Sequence, residues 1–265
     1  SGNWRVGRPA VAASLRGMVA VTIDVRVLDA AVHSGLAGGP IPDALTILSR
    51  VLASLHDASG SVAVPGLVAY ESDPLDLTED DLRADYGVRE GVELIGEGTL
   101  TSRLWTKPSI SVLAIDAPPV AEAINQLVAS ARAKVSMRIA PGQDPNAAFA
   151  ALRDHVMGAD AWGAEVIVAM SEQGEAFKAD VSDPRIGAVR EALEAAWGTG
   201  VAEIGVGGSI PFVADFERRF PDAAIVLTGV IDPTSAVHGP NESVDLGDLE
   251  KAVLAEAIAL KLLAG

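Results

Sequence analysis

Residues 18–29, MVAVTIDVRVLD, place Val19, Val21, Ile23, Val25 and Val27 in one phase and Ala20, Thr22, Asp24 and Arg26 in the other. A repeat of two is the mark of a strand with one buried face, since a helix would scatter the five apolar side chains around its axis. The chain must therefore build a sheet and something to cover it. After the loop AAVHSGLAGGPIP, the apolar positions Ala44, Leu45, Ile47, Leu48, Val51, Leu52 and Leu55 follow helical spacing, with Pro42 and Asp43 suited to the first turn, so a helix is expected to end near His56. SISVLAID (109–116) reads as a strand, KVSMRIA (134–140) alternates as another, PNAAFAALRDHVMG (145–158) as a helix and AEVIVAM (164–170) as an apolar strand. The resulting order, βαββαβ, is the ferredoxin-like split motif. It carries both helices on one face and leaves the other face or an edge strand for association, which points to a two-fold dimerisation module.

Residues 57–107 read as a polar, irregular surface excursion in which ESDPLDLTEDDLRADYG can hold one short helix. From about Asp180 the pattern changes to a helix (184–197), a Gly-rich loop, a short helix (211–219), a buried strand AAIVLTGV (223–230) and a terminal helix (245–263). That is part of an α/β layer too small to stand alone. The fold class is α/β with an α+β ferredoxin-like module, and 265 residues fit two modest domains.

Composition narrows the partners. Twenty basic against thirty-six acidic residues give a net charge of −16, which repels phosphate backbones and anionic headgroups and argues against nucleic acid or membrane binding. Zero cysteines exclude disulfides and thiolate metal sites and fit a cytoplasmic location. No apolar run approaches the roughly 18 residues of a membrane span.

Few residues can carry chemistry. His238, in DPTSAVHGPNE, is expected just beyond a sheet strand, where α/β folds place ligands, or as a surface or capping histidine. GVGGSIPFVADF offers consecutive glycines, Ser209 and then Pro211 at a helix start, which suits either a bound anion or a tight turn; it holds no dinucleotide fingerprint, and a helix is expected shortly before it. His33 lies in a glycine-bearing loop after the first strand and is either exposed or close to a ligand. Arg138 is out of phase with Val135, Met137 and Ile139, so its guanidinium leaves the packed face to clamp a carboxylate or to make a surface ion pair. His56 and His155, late in helices, read as structural.

Taken in order, SGNWRVGRPA, SLRGMVAV, VHSG, SMRIAPGQDP, GGSIPF and HGPNE resemble the co-catalytic zinc peptidase family that includes carnosine dipeptidase, aminoacylase, acetylornithine deacetylase and succinyl-diaminopimelate desuccinylase. The resemblance implies a catalytic α/β domain interrupted by a ferredoxin-like lid that forms a homodimer. Residues 1–10 would end one catalytic segment, 11–178 would form the lid and 179–265 the C-terminal part of the catalytic domain. It also implies that His238 is a zinc ligand, the last in chain order, and that His33 reaches the partner subunit's site to stabilise the oxyanion. Asn125 and Arg138 would bind the substrate backbone and carboxylate, and Gly208 and Ser209 would form the substrate loop. The family's remaining metal ligands and its glutamate base precede the SGNW-like stretch, so Ser1 is expected to be an internal position, unless Ser-Gly is a cloning scar. The chain alone is then expected to be inactive. In the intact protein two zinc ions and that glutamate would activate a water to hydrolyse a dipeptide or an N-acyl amino acid, dipeptides being favoured by GGSIPF and PNE. The alternative is a non-catalytic ferredoxin-like module for dimerisation or small-molecule binding.

Overall fold

A computed structural model describes residues 2–264. In chain order the elements are β1 (Ala10–Leu15), β2 (Gly17–Arg26), β3 (Val32–His33), α1 (Ser34–Ala37), α2 (Ala44–Ala53), α3 (Glu79–Tyr86), α4 (Leu100–Trp105), β4 (Ser109–Asp116), β5 (Gln126–Leu127) and β6 (Ser130–Ile139). They continue with α5 (Pro145–Gly158), β7 (Glu165–Gly174), β8 (Phe177–Lys178), α6 (Pro184–Trp197), β9 (Ala202–Val206), α7 (Pro211–Arg219) and α8 (Leu246–Ala264).

The alternating stretch is β2, paired antiparallel with β6 on one side and β7 on the other, while β4 adds to β6. The sheet order β4-β6-β2-β7 is that of the ferredoxin-like motif. Val19, Val21, Ile23 and Val25 share one core with Val135, Met137 and Ile139 of β6, with Ile47, Leu48 and Val51 of α2 and with Ala148, Leu152 and Val156 of α5. Side chains of this size contribute about 1.5–3 kcal/mol each on burial. The two helices begin alike, with Asp43 accepting from the Thr46 amide at 2.9 Å and Asp144 from the Ala147 amide at 2.7 Å. On the opposite phase Asp24 pairs with Arg132 and Lys134 with Glu172, so that face is polar. Both β4 and β7 are edges.

A second, three-stranded sheet has the order β8-β1-β9, with β1 parallel to β9 and antiparallel to β8. Around it pack Val11, Leu15, Phe177, Ile186, Leu193, Trp197, Val213 and Ala255. The division expected at residues 10 and 11 therefore cuts β1, whose ladder runs to β8 and β9. One residue, Arg16, separates β1 from β2, so the chain passes from one sheet to the other at that point.

Three expectations are corrected. AAIVLTGV is not a strand: Leu227 makes a single bridge to Ala12, and its neighbours lie half-buried against the second core. The Gly-rich loop is preceded directly by β9, not by a helix. Residues 57–107 hold two helices, and Thr101, Ser102, Trp105 and Thr106 are buried there. Trp105 meets Trp4 edge-on at 5.9 Å, which anchors the excursion on the second layer.

Candidate functional site

β3 and β5 form a two-residue ribbon in which His33 faces Gln126, and the Ser34 amide donates to the Asn125 carbonyl at 2.9 Å. His33 and Asn125 are thus neighbours on one exposed corner. The His33 ring caps α1, its Nδ1 accepting from the Gly35 amide at 3.0 Å. A Cβ on Gly35 would sit 3.0 Å from His33 Cε1, so glycine leaves the ring room over the turn. Because Nδ1 accepts, the neutral ring carries its proton on Nε2, where it is available as a donor.

The second corner is made from sequence positions far apart. Arg138, half-buried on β6 opposite Met18 and Ser109, directs Nη1 at the Ser209 hydroxyl, 3.4 Å away. Ser209 lies in the loop between β9 and α7. The residue before α7, Ile210, supplies no side-chain cap to the helix amides. Gly208 has nothing within 4 Å of where a Cβ would lie, while a Cβ on Gly207 would be 3.0 Å from Arg16 Nη2. The tighter approach in this loop is therefore at 207, against the end of the Arg16 side chain.

Arg16 is the site residue that sequence reading missed. Its guanidinium is buried, 9% exposed, and donates to the carbonyls of Gly207 (3.4 Å), Arg103 (3.5 Å) and Lys107 (3.4 Å) and to Ser109 Oγ (3.1 Å). Burial, and then the charge of Arg138, hold its pKa down to about 10. Among the described residues no carboxylate pairs with it. The one available signal was a charged residue inside SLRGM, at the joint between two apolar strands.

His238 stands apart from both corners. It is exposed, with φ 61°, between Ala236 at 49° and Asn241 at 63°. Three non-glycine residues in the left-handed region make this loop a strained one. The loop is closed by the Ser243 amide on the Ser235 carbonyl (3.0 Å), and Glu242 accepts from the His238 amide at 3.3 Å. It follows the Ile231 bridge, not a strand end as expected. Among the described residues no three His, Cys, Asp or Glu side chains assemble into a metal cluster, so these side chains do not by themselves fit a metal ion. No hydrogen bond joins His238 to either corner among those residues.

A sequence model of the peptidase dimerisation domain, that of M20 peptidases, matches residues 13–164. The chain belongs to the M20 peptidase dimerisation-domain family. The matched span of this M20 chain takes in β2, β4 and β6 of the four-stranded sheet and ends at residue 164, directly before β7. A cysteinylglycine-S-conjugate dipeptidase of Corynebacterium striatum is 32% identical over 262 residues, covering 97% of this chain and 57% of its own length. Among solved structures, the di-peptidase Dug1p from Saccharomyces cerevisiae superposes with a TM-score of 0.80 at 20% identity, over 98% of this chain and 57% of that one. The M20 family metallo-carboxypeptidase Sso-CP2 from Sulfolobus solfataricus gives 0.81 at 21% identity, over 99% and 62%. At these identities the structures share the fold. The chain spans about half the length of the curated relatives it matches. No helix among the described residues is long and apolar enough to cross a membrane.

Proposed function

We propose that this chain is the lid and substrate-loop part of a metallodipeptidase. Arg138 and Ser209 take the carboxylate of a short peptide whose backbone Asn125 helps to hold, and Gly208 leaves the loop open on that side. The observation that carries this is the contact of Arg138 with Ser209, two groups 71 positions apart in sequence that converge where the two sheets meet. A guanidinium and a hydroxyl form a donor pair suited to a carboxylate. The names of the relatives favour dipeptides over N-acyl amino acids as the substrate.

His33, with its proton on Nε2, is suited to donate a hydrogen bond to a carbonyl oxygen as negative charge develops there, a contribution of about 3 kcal/mol per donor. It lies on an exposed corner with Leu36 of α1 and Ile124, the neighbour of Asn125, both exposed, which is consistent with delivery into a partner's site. The homodimer is proposed to form along the β4 edge, where Val112, Leu113 and Ile115 are exposed. Relatives are named metallodipeptidases. A metal, zinc by the family resemblance, is accordingly proposed for the complete protein, with His238 as one ligand and the other ligands outside this chain, which alone would be inactive. The absence of cysteine supports a cytoplasmic setting.

The test compares a free dipeptide with its C-terminal amide as substrates of the complete gene product. Wild type should favour the free acid by about 10- to 100-fold in kcat/KM, the worth of a hydrogen bond to a charged group, and Arg138→Met should abolish the preference. Equal rates on acid and amide would refute the carboxylate assignment.

A further inference from the structure

Arg16 presents an energetic problem. A buried guanidinium without a carboxylate is costly, and a second cation nearby adds to the cost. Burial and Arg138 together already pull its pKa down. Its four acceptors are neutral, and three of them lie at 3.4–3.5 Å, at the weak end of hydrogen bonding. What it touches is informative. Gly207 begins the substrate loop, Arg103 and Lys107 lie at the C-terminal end of α4, where exposed carbonyls favour a cation, and Ser109 opens β4. Arg16 itself is the single residue between the two sheets, with its amide on the Val206 carbonyl at 3.0 Å. One planar fork therefore ties the sheet joint, the end of the 57–107 excursion and the loop that carries Ser209.

We propose that Arg16 is a positioning residue for substrate recognition: it fixes the Gly207–Ser209 loop so that Ser209 meets Arg138, and it supplies a second positive charge behind the pocket that receives the substrate carboxylate. The inference rests on the carboxylate reading of Arg138 and Ser209. An arriving anion relieves the repulsion between the two guanidinium groups, so part of the cost of burying Arg16 is returned on binding. Lysine would keep the charge but could not reach carbonyls in several directions from one plane.

The experiment uses the complete gene product with Arg16→Met and Arg16→Lys, each checked for wild-type circular dichroism, and reads kcat and KM on a free dipeptide and on its amide. Arg16→Met should lower the preference for the free acid by about 10-fold or more, through KM. Arg16→Lys should recover part of that preference. In a Ser209→Ala background the further loss caused by Arg16→Met should shrink to about 3-fold or less, because coupled residues are not additive. A wild-type preference retained in Arg16→Met, or strict additivity with Ser209→Ala, would overturn the proposal. If the methionine variant does not fold, Arg16→Lys decides: a full wild-type preference for the free acid in Arg16→Lys also overturns it. Failure of the carboxylate reading shows separately, as absence of the preference in the wild type.

Discussion

Asp248 is 1% exposed at the start of α8, and its carboxylate is fully used. Oδ2 accepts from Asn3 Nδ2 and from the Gly7 amide, both at 2.9 Å, and Oδ1 accepts from Trp197 Nε1 at 2.9 Å. One side chain thereby fastens residues 3–7 to α6 and α8, across 245 positions of sequence. Hydrogen bonds to a charged acceptor are worth about 1.5–3 kcal/mol each, and a donor left buried without a partner loses about 1–3 kcal/mol. Asp248→Ala strips three donors at once, but water can enter the small space that the carboxylate leaves and recover part of the loss. A destabilisation of about 4 kcal/mol follows, near the upper end for single substitutions. At about 2–4 °C per kcal/mol for a chain of this size, the midpoint should fall by about 10 °C. Asp248→Asn keeps one acceptor and turns an NH2 toward a donor, so about half that loss is expected. Urea unfolding followed by tryptophan fluorescence measures both, with Trp197 reporting directly on the contact. A loss below about 1 kcal/mol for Asp248→Ala would show that the three bonds are not made as described.

Charge placed on the β4 edge should separate the subunits: Leu113→Lys with Ile115→Lys is expected to convert a dimer to a monomer in light scattering, and an unchanged dimer would move the interface elsewhere. Glu71 has its pKa lowered to about 2, first by the hydrogen bond from Lys107 and then by that from Ser102. Its folded value lies below the ordinary 4.5, so the stability it contributes is full above that pH and is lost as pH falls from 4.5 through about 2. Glu71→Gln should flatten the acid limb of stability in that window, measured by thermal melts from pH 5 to pH 2, and identical limbs would refute the assignment.

The four-stranded module was legible because its elements carry their own instructions. β2 alternates over its whole length, and α5 opens with Asp144 and Pro145 at positions that cap and start a helix. The second layer was harder to read for two opposite reasons. AAIVLTGV is apolar enough for a strand, but only Leu227 bridges to β1, and the segment serves as half-buried packing. β9 is a true strand, yet it is five residues long and carries Glu203 and Gly205, which local propensity assigns to loops. Within the site, Arg138 could be noticed from its phase on β6. Arg16 could not, because its importance depends on residues 103, 107, 109 and 207 converging on it, and no periodicity in the sequence encodes that meeting.

The most direct measurement is metal content and dipeptide hydrolysis of residues 1–265 alone, after dialysis against zinc and removal of free ion. With His238 lacking companion ligands among the described residues, the expected result is no stoichiometric pair of ions and no cleavage. Two tightly held ions per chain, together with turnover of a dipeptide, would contradict the view that these residues provide recognition and association while the ligands that complete the metal centre lie elsewhere.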